Sequence, residues 1–186
     1  MRLPADFSHS PYGEKFYKYD RFNDSMAKQI PPVLKSLWAY FHFKLDTLSD
    51  RIQVQKVVYL LKEMGFEGLE VYTYSMYIYG PYSSDLAKDV FSLRDNPLAV
   101  SEVEFSESQK KYITELERSF NLFDDQNNSL GSAVKYELFA DCLFFHKKGQ
   151  AKDDVLATLS NKHAYLGDKV RFGLAWDILS KMDLVR

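Results

Sequence analysis

The chain has 186 residues, of which 46% are hydrophobic, 16% aromatic and 27% charged, and its formal net charge is -2 at pH 7. A chain of this length can build one full core and bury roughly 70% of its unfolded surface, which favours a single domain. Lys and Arg total 24 against 26 acids. This balance argues against a polyanion-binding surface spread over the whole chain, so any nucleic-acid contact must rest on a local patch.

The apolar runs of the sequence are short. None approaches the ~18 uninterrupted residues of a membrane helix, and the opening MRLPADFSHSPYGEKF lacks the apolar stretch of a secretory signal. The single cysteine, Cys142, forms no intrachain disulfide and fits a reducing compartment. We therefore expect a cytoplasmic protein without a membrane partner, in which Cys142 is a small apolar helix residue.

The first third of the chain divides into an arm and the start of a domain. Residues 1–32 carry prolines and polar runs without sustained periodicity, which predicts an irregular N-terminal arm. Residues 33–186 are predicted to form a single helix-rich globular domain, and apolar residues at helical spacing begin its first helix at Val33.

The second helix has the clearest pattern, over about residues 50–64. Its valines and leucines fall on one face, and Lys56 is predicted to leave that face. Asp50 followed by Gln53 resembles a capping box. Gly65 suits a left-handed C-cap that ends the helix.

Alternation and turn residues predict the β element. Residues 71–79, VYTYSMYIY, alternate and are rich in β-branched and aromatic side chains, which favours a strand. Residues 99–105 alternate again and predict a second strand beside the first. Between them, a Gly80-Pro81 corner starts a helix capped by Ser83 or Ser84 and stopped by Asn96-Pro97.

Helical spacing dominates the remainder. A long helix is predicted over about residues 107–123, with Ser106 and Gln109 as its capping box. A nearly continuous apolar helix follows, then two shorter helices, the last with its stripe at Val170, Leu174, Ile178 and Met182. The fold class is mainly α with a small β element (α+β), with six to eight helices and a two- or three-stranded hairpin.

Motifs of catalysis are not visible in the sequence. It has no G-x-G-x-x-G, P-loop, H-E-x-x-H or G-x-S-x-G. Cys142 and His146 lie one helical turn apart, yet a zinc site needs at least three ligands. We predict no catalytic residues, no metal and no cofactor; a nuclease with scattered carboxylates is the third alternative.

The corner in YIYGPYSSDLAKDV has two interpretations. A helix N-terminus can hold an anion, but Asp85 in the first turn would occupy that positive end, and no Lys or Arg lies between Lys62 and Lys88. Gly80 permits a positive φ or a close backbone approach, and Pro81 presets the turn. We therefore favour a structural joint.

Two segments carry a family resemblance. RIQVQKVVYLLKEMGF followed by YIYGPYSSDLAKDV resembles the LQKLIYLL…YGPYS signature of the YwgA-like proteins, chiefly in Gln55-Lys56, Tyr59 to Leu61 and Tyr79 to Ser83. The C-terminal half resembles the closing helices of that family. A more distant similarity is to Panacea or SocA-like antitoxins. The resemblance implies a winged-helix-related helical domain that acts by binding, in the antitoxins by contact with a toxin.

The first functional hypothesis is a non-catalytic protein-binding module, antitoxin-like or regulatory, with an aromatic contact surface. Its partner is a protein, for example a toxin, and a homodimer is open. The binding residues are predicted to be Tyr77, Tyr79, Gly80, Pro81, Tyr82 and Ser83, joined by Phe16, Tyr17 and Tyr19 of the arm. Aromatic residues are common at protein interfaces.

The alternative is a winged-helix nucleic-acid-binding transcriptional regulator. The helix after the corner would be its recognition element, with Lys88 and Arg94 contacting nucleic acid. The exposed positions of that helix are predicted to be Asp85, Lys88, Asp89, Ser92 and Arg94. Two acids among five make a poor phosphate surface, so nucleic acid is the less favoured partner.

Overall fold

A computed structural model describes residues 29–98, 100–126 and 131–186. Most of the predicted arm, with Phe16, Tyr17 and Tyr19, lies outside the described residues. The helices are α1 (Pro32–Tyr40), α2 (Leu48–Glu63), α3 (Ser84–Asp95), α4 (Glu107–Gln126), α5 (Ser132–Lys147), α6 (Lys152–Lys162) and α7 (Lys169–Lys181), and the strands are β1 (Ser75–Tyr77) and β2 (Gly80–Tyr82).

The fold class is confirmed. Seven helices and one two-stranded antiparallel hairpin make up the regular structure of the described residues, a mainly helical α+β fold. None of these helices is long and apolar enough to cross a membrane.

The predicted strand partners were wrong. The strand expected over residues 71–79 shortens to β1, and the described part of residues 99–105 forms no strand. The partner of β1 is β2, with Ser75 opposite Tyr82 and Tyr77 opposite Gly80. A two-residue turn therefore joins the strands, and pairing of immediate neighbours takes precedence over a strand some 20 residues away because a shorter loop costs less entropy to close.

Two capping boxes hold the helix starts, one of them at an unexpected place. Helix α2 starts at Thr47, whose side chain accepts a hydrogen bond from the Asp50 amide while Asp50 accepts one from the Thr47 amide. The predicted pairing of Asp50 with Gln53 was therefore wrong by one turn. The predicted box of Ser106 and Gln109 before α4 is confirmed.

The core is one connected cluster of buried apolar side chains that runs from Val33 to Val185. Helices α2 and α5 pack against each other at its centre, and α7 packs on α5. The predicted stripe of α7 was partly wrong because Val170 is 76% exposed, whereas the buried residues of that helix are Phe172, Ala175, Trp176, Ile178 and Leu179. The hairpin lies against both α2 and α5.

Candidate functional site

The candidate site is the hairpin together with the helices beneath it. Its turn is formed by Ile78 and Tyr79, not by Gly80 and Pro81, which lie in β2. Gly80 has φ +90°, while neither turn residue has a positive φ. A turn followed by a glycine of this conformation is a common hairpin connection, and it explains why the bend precedes the glycine.

Other side chains also approach the backbone of Gly80 closely, as the sequence suggested. A Cβ at this position would overlap the Oδ1 atom of Asp141 and lie 3.0 Å from the Cε atom of Lys56. Only a hydrogen atom fits there. Backbone conformation and lack of space therefore both require glycine at position 80.

Lys56 lies directly beneath β2 and is 2% exposed. Its Nζ atom donates a hydrogen bond of 2.6 Å to the carbonyl oxygen of Pro81. The sequence predicted that Lys56 leaves the apolar face of α2, but it did not predict that the side chain is buried. The hairpin covers that side of the helix, so a residue that pattern analysis assigns to solvent is enclosed by tertiary contacts.

The neighbouring Gln55 fixes the exit of the hairpin. Its Nε2 atom donates to the Ser83 carbonyl at 3.0 Å, and its Oε1 atom accepts from the Ser83 amide at 2.9 Å. The Ser83 hydroxyl in turn accepts a hydrogen bond from the Leu86 amide, which confirms Ser83 as the N-cap of α3. The two segments that carry the family resemblance therefore contact each other.

Two acids of α5 complete a buried group of charges that we call the charge cluster: Lys56, Glu137, Asp141 and Lys162. Asp141 is fully buried and Glu137 nearly so. The Nζ atom of Lys162 donates to Glu137 at 2.9 Å and to Asp141 at 2.5 Å. The other carboxylate oxygen of Asp141, Oδ1, accepts no hydrogen bond from the described residues and faces Gly80.

Burial dominates the protonation behaviour of this cluster. Desolvation lowers the pKa of Lys56 to about 7, against the attraction of Asp141 and Glu137. Desolvation raises the pKa of Asp141 to about 6, opposed by the charge and hydrogen bond of Lys162 and by the charge of Lys56. The largest cause of both shifts is the same, because a buried charge loses its hydration; the charge of Lys162 also lowers the pKa of Lys56, and that of Glu137 also raises the pKa of Asp141. Shifts of this kind occur at functional sites and also in structural ion-pair networks.

A stack of three rings supports the turn from the other side. His163 is stacked between Tyr79, at 6.1 Å between ring centroids, and Tyr165, at 5.0 Å. Its Nε2 atom lies 3.1 Å from the Ile78 carbonyl oxygen. The Tyr165 hydroxyl donates to Glu137 at 3.1 Å. The stack therefore ties the turn to the charge cluster.

The outer side of the hairpin is apolar. Ile78 is 45% exposed and Tyr77 is 36% exposed. The rings of Tyr77 and the half-buried Tyr82 lie 5.5 Å apart. We call Tyr77, Ile78 and Tyr79 the hairpin tip. Of the predicted binding residues, Gly80, Pro81 and Ser83 are buried.

The two predicted nucleic-acid contacts lie on α3 beside acidic partners. Lys88 forms an ion pair with Asp85 at 3.8 Å, and the Nε atom of Arg94 donates to Asp95 at 2.7 Å. Each cation is thus partly neutralised within its own helix. This arrangement gives α3 no surplus of positive charge for phosphates.

A predicted exposed residue of α3 is buried. Asp89 accepts a 2.8 Å hydrogen bond from the hydroxyl of Tyr72, which is fully buried. The expected exposure of Asp89 was wrong because this bond holds its carboxylate in the interface between α3 and the segment that precedes β1. The pair holds the chain just before the hairpin.

Sequence reasoning missed the charge cluster, His163, Tyr165 and Ile78. One signal could have identified part of it: Asp141 stands inside the apolar run LFADCLFF, and Lys56 inside VQKVVYLL. A charge embedded in a buried helix requires an opposite charge or a hydrogen-bond partner. Two such helices with opposite embedded charges are candidates for packing against each other.

Other expected features were also placed. Cys142 is fully buried, and burial raises the pKa of its thiol. The rings of the half-buried His146 and of Trp176 lie nearly perpendicular to each other, with 5.5 Å between their centroids. Within the described residues, no three His, Cys, Asp or Glu side chains are grouped so as to hold a metal ion. The site can present an apolar tip on a base fixed by buried hydrogen bonds.

No family model matches the chain, and no curated protein or solved structure matches it either. The resemblance to YwgA-like proteins remains a prediction that rests on the residues quoted for it.

Proposed function

We propose that the protein is a non-catalytic protein-binding module, antitoxin-like or regulatory, and that the hairpin tip is its contact surface. One observation carries the proposal: Tyr77 and Ile78 are exposed at a turn whose base is held by buried hydrogen bonds from Lys56 and Gln55. We place this activity in the cytoplasm, with a protein as the partner.

The geometry of the tip supports this proposal in two ways. Exposed aromatic and aliphatic side chains are the groups that dominate binding energy when they enter a pocket. A turn that is already fixed loses little conformational entropy on binding. The expected partner is therefore a protein with an apolar pocket wide enough for one or two such side chains.

The test is capture of partners on immobilised protein from a lysate of the native cell, at moderate salt, with three proteins compared. Wild type is compared with Ile78→Asp, which places a charge at the tip, and with Val170→Asp, which places the same charge at an exposed apolar position of α7. Half of each eluate is analysed for proteins and half for nuclease-sensitive nucleic acid.

A protein retained in stoichiometric amount by wild type and by Val170→Asp, but lost by at least about tenfold with Ile78→Asp, would support the proposal. Equal retention by all three proteins would refute the tip as the contact surface. Nucleic acid released by salt would favour the transcriptional regulator instead. Capture of a second copy of this chain, lost with Ile78→Asp, would make the partner a homodimer subunit.

A further inference from the structure

The hairpin is a small element that covers two ionisable side chains, those of Lys56 and Asp141. Each strand has three residues, and an isolated two-stranded hairpin is marginally stable in water. The position of β2 therefore depends on its contacts with Lys56 and Asp141. Both side chains are shielded from water, since Lys56 is 2% exposed and Asp141 is 0% exposed.

The chain on each side of the hairpin is held more firmly. Before it, Tyr72 is fully buried and bonded to Asp89. After it, Ser83 is bonded to Gln55 and caps α3, whose Leu86 is fully buried. These two anchors delimit residues 75–82 as the segment that can move, and Met76 is its partly buried apolar contact with the core cluster.

We infer that residues 75–82 form a lid over the charge cluster, and that opening of this lid takes up a proton at Lys56. In the closed form, the Nζ atom of Lys56 donates its hydrogen bond to the Pro81 carbonyl oxygen, which carries no formal charge. Opening gives its amine access to water, where the protonated form is stabilised. The inference concerns the movement of the hairpin and does not depend on any partner.

The groups that face Lys56 and Asp141 affect the balance between the closed and open forms of the lid. They come from α5, from the end of α6 and the loop after it, from the turn and from α2: Glu137, Lys162, His163, Tyr165, Tyr79 and Tyr59. Burial lowers the pKa of Lys56 to about 7 in the closed form, against an ordinary value of about 10.5. Opening is therefore coupled to proton uptake between these two values, and it becomes harder as the pH rises through that range.

The first test measures acylation of lysines in the wild-type protein with acetic anhydride, read by mass spectrometry. Only neutral amines react. The exposed side chain of Lys111 serves as the reference. Below the ordinary lysine pKa of about 10.5, the neutral fraction of a solvated amine rises about tenfold for each pH unit, and the acylation rate rises with it. Lys56 reacts from the open, neutral form, whose population stops rising once the closed form is neutral. Its rate is expected to be lower and to level off above about pH 7.

The second test forces the lid open. Gly80→Ala places a methyl group against Asp141, whereas Gly149→Ala has the same kind of backbone, φ +88° against +90°, with nothing near the added atom. The buried thiol of Cys142 reports opening of the core itself. We expect at least a tenfold faster reaction of Lys56 in Gly80→Ala, no change in Gly149→Ala, and an unreactive Cys142 in both.

Two results would overturn the lid. One is a Lys56 rate that follows that of Lys111 across the whole pH range in wild type. The other is a Gly80→Ala protein in which Lys56 reacts no faster than in wild type, or only together with Cys142. The wild-type measurement stands even where the Gly80 variant does not fold.

Discussion

The two faces of the hairpin differ in chemistry and in constraint. The inner face rests on Lys56 and Asp141, both enclosed, with β2 bonded to a helix through a side chain. The outer face carries Tyr77 and Ile78, which water reaches. The difference indicates that substitutions beneath the hairpin act on stability, whereas substitutions on the tip act on binding.

The largest effect is expected for Asp141→Ala. Removal of this carboxylate leaves Lys162 with Glu137 alone and leaves Lys56 without its nearest negative charge, and breaking a buried ion pair costs about 3–5 kcal/mol. Urea unfolding at neutral pH measures the loss. The control is Asp177→Ala, an exposed partner of Lys152, expected to cost less than about 1 kcal/mol; similar losses for both variants would contradict the buried cluster.

The next effect is a pH dependence. Because burial lowers the pKa of Lys56 to about 7, the folded state binds fewer protons than the unfolded state above that pH, and stability rises with pH. The rise is limited to about 1.4 kcal/mol per pH unit. Urea unfolding of wild type and Lys56→Met from about pH 7 to pH 9 isolates the contribution of Lys56 to the pH dependence of stability. If the free energy of unfolding of wild type, relative to that of Lys56→Met, does not increase with pH, Lys56 titrates normally.

A smaller loss is expected for Gln55→Met. This change keeps the length of the side chain but leaves the amide and the carbonyl of Ser83 without their buried partner, which costs about 1–3 kcal/mol. Gln53→Met, two residues away on the same helix, is the matched control and should be nearly neutral. Thermal unfolding of the two variants decides whether the hairpin exit depends on Gln55.

The smallest effect is expected at the tip. Ile78→Asp should change the free energy of unfolding by less than about 0.5 kcal/mol, since a half-exposed residue at a turn contributes little to the core. Val170→Asp should behave alike. A loss above about 2 kcal/mol for Ile78→Asp alone would mean that the tip belongs to the core and that the contact surface lies elsewhere.

Local signals of the sequence were sufficient for much of the fold. Ser83 as a cap, Gly65 with φ +94° after α2, and the box at Ser106 follow from chemistry within a few residues of chain. The burial of Lys56 does not. It depends on residues about 25 positions later folding back over the helix, so a pattern of exposed and buried positions along α2 assigns it to solvent.

The site was predicted in part for the same reason. The need for glycine at position 80 was foreseen, but the atoms that require it belong to Asp141 and Lys56, on two different helices. The tip residue Ile78 was assigned to the alternation of a longer strand. Because β1 ends at Tyr77, Ile78 lies in the turn and not on a face of the sheet. Where the strand ends depends on the register in which the two strands pair.

The hydrogen bonds between Gln55 and Ser83 have a consequence for assembly. A primary amide that pairs with both the N–H and the C=O of one residue reproduces what a neighbouring strand would offer. Together with Lys56 at the Pro81 carbonyl, it closes that edge of the sheet to intermolecular pairing. A peptide that extends this sheet would have to pair along β1, so the direction from which a strand-forming ligand approaches is set by a glutamine side chain.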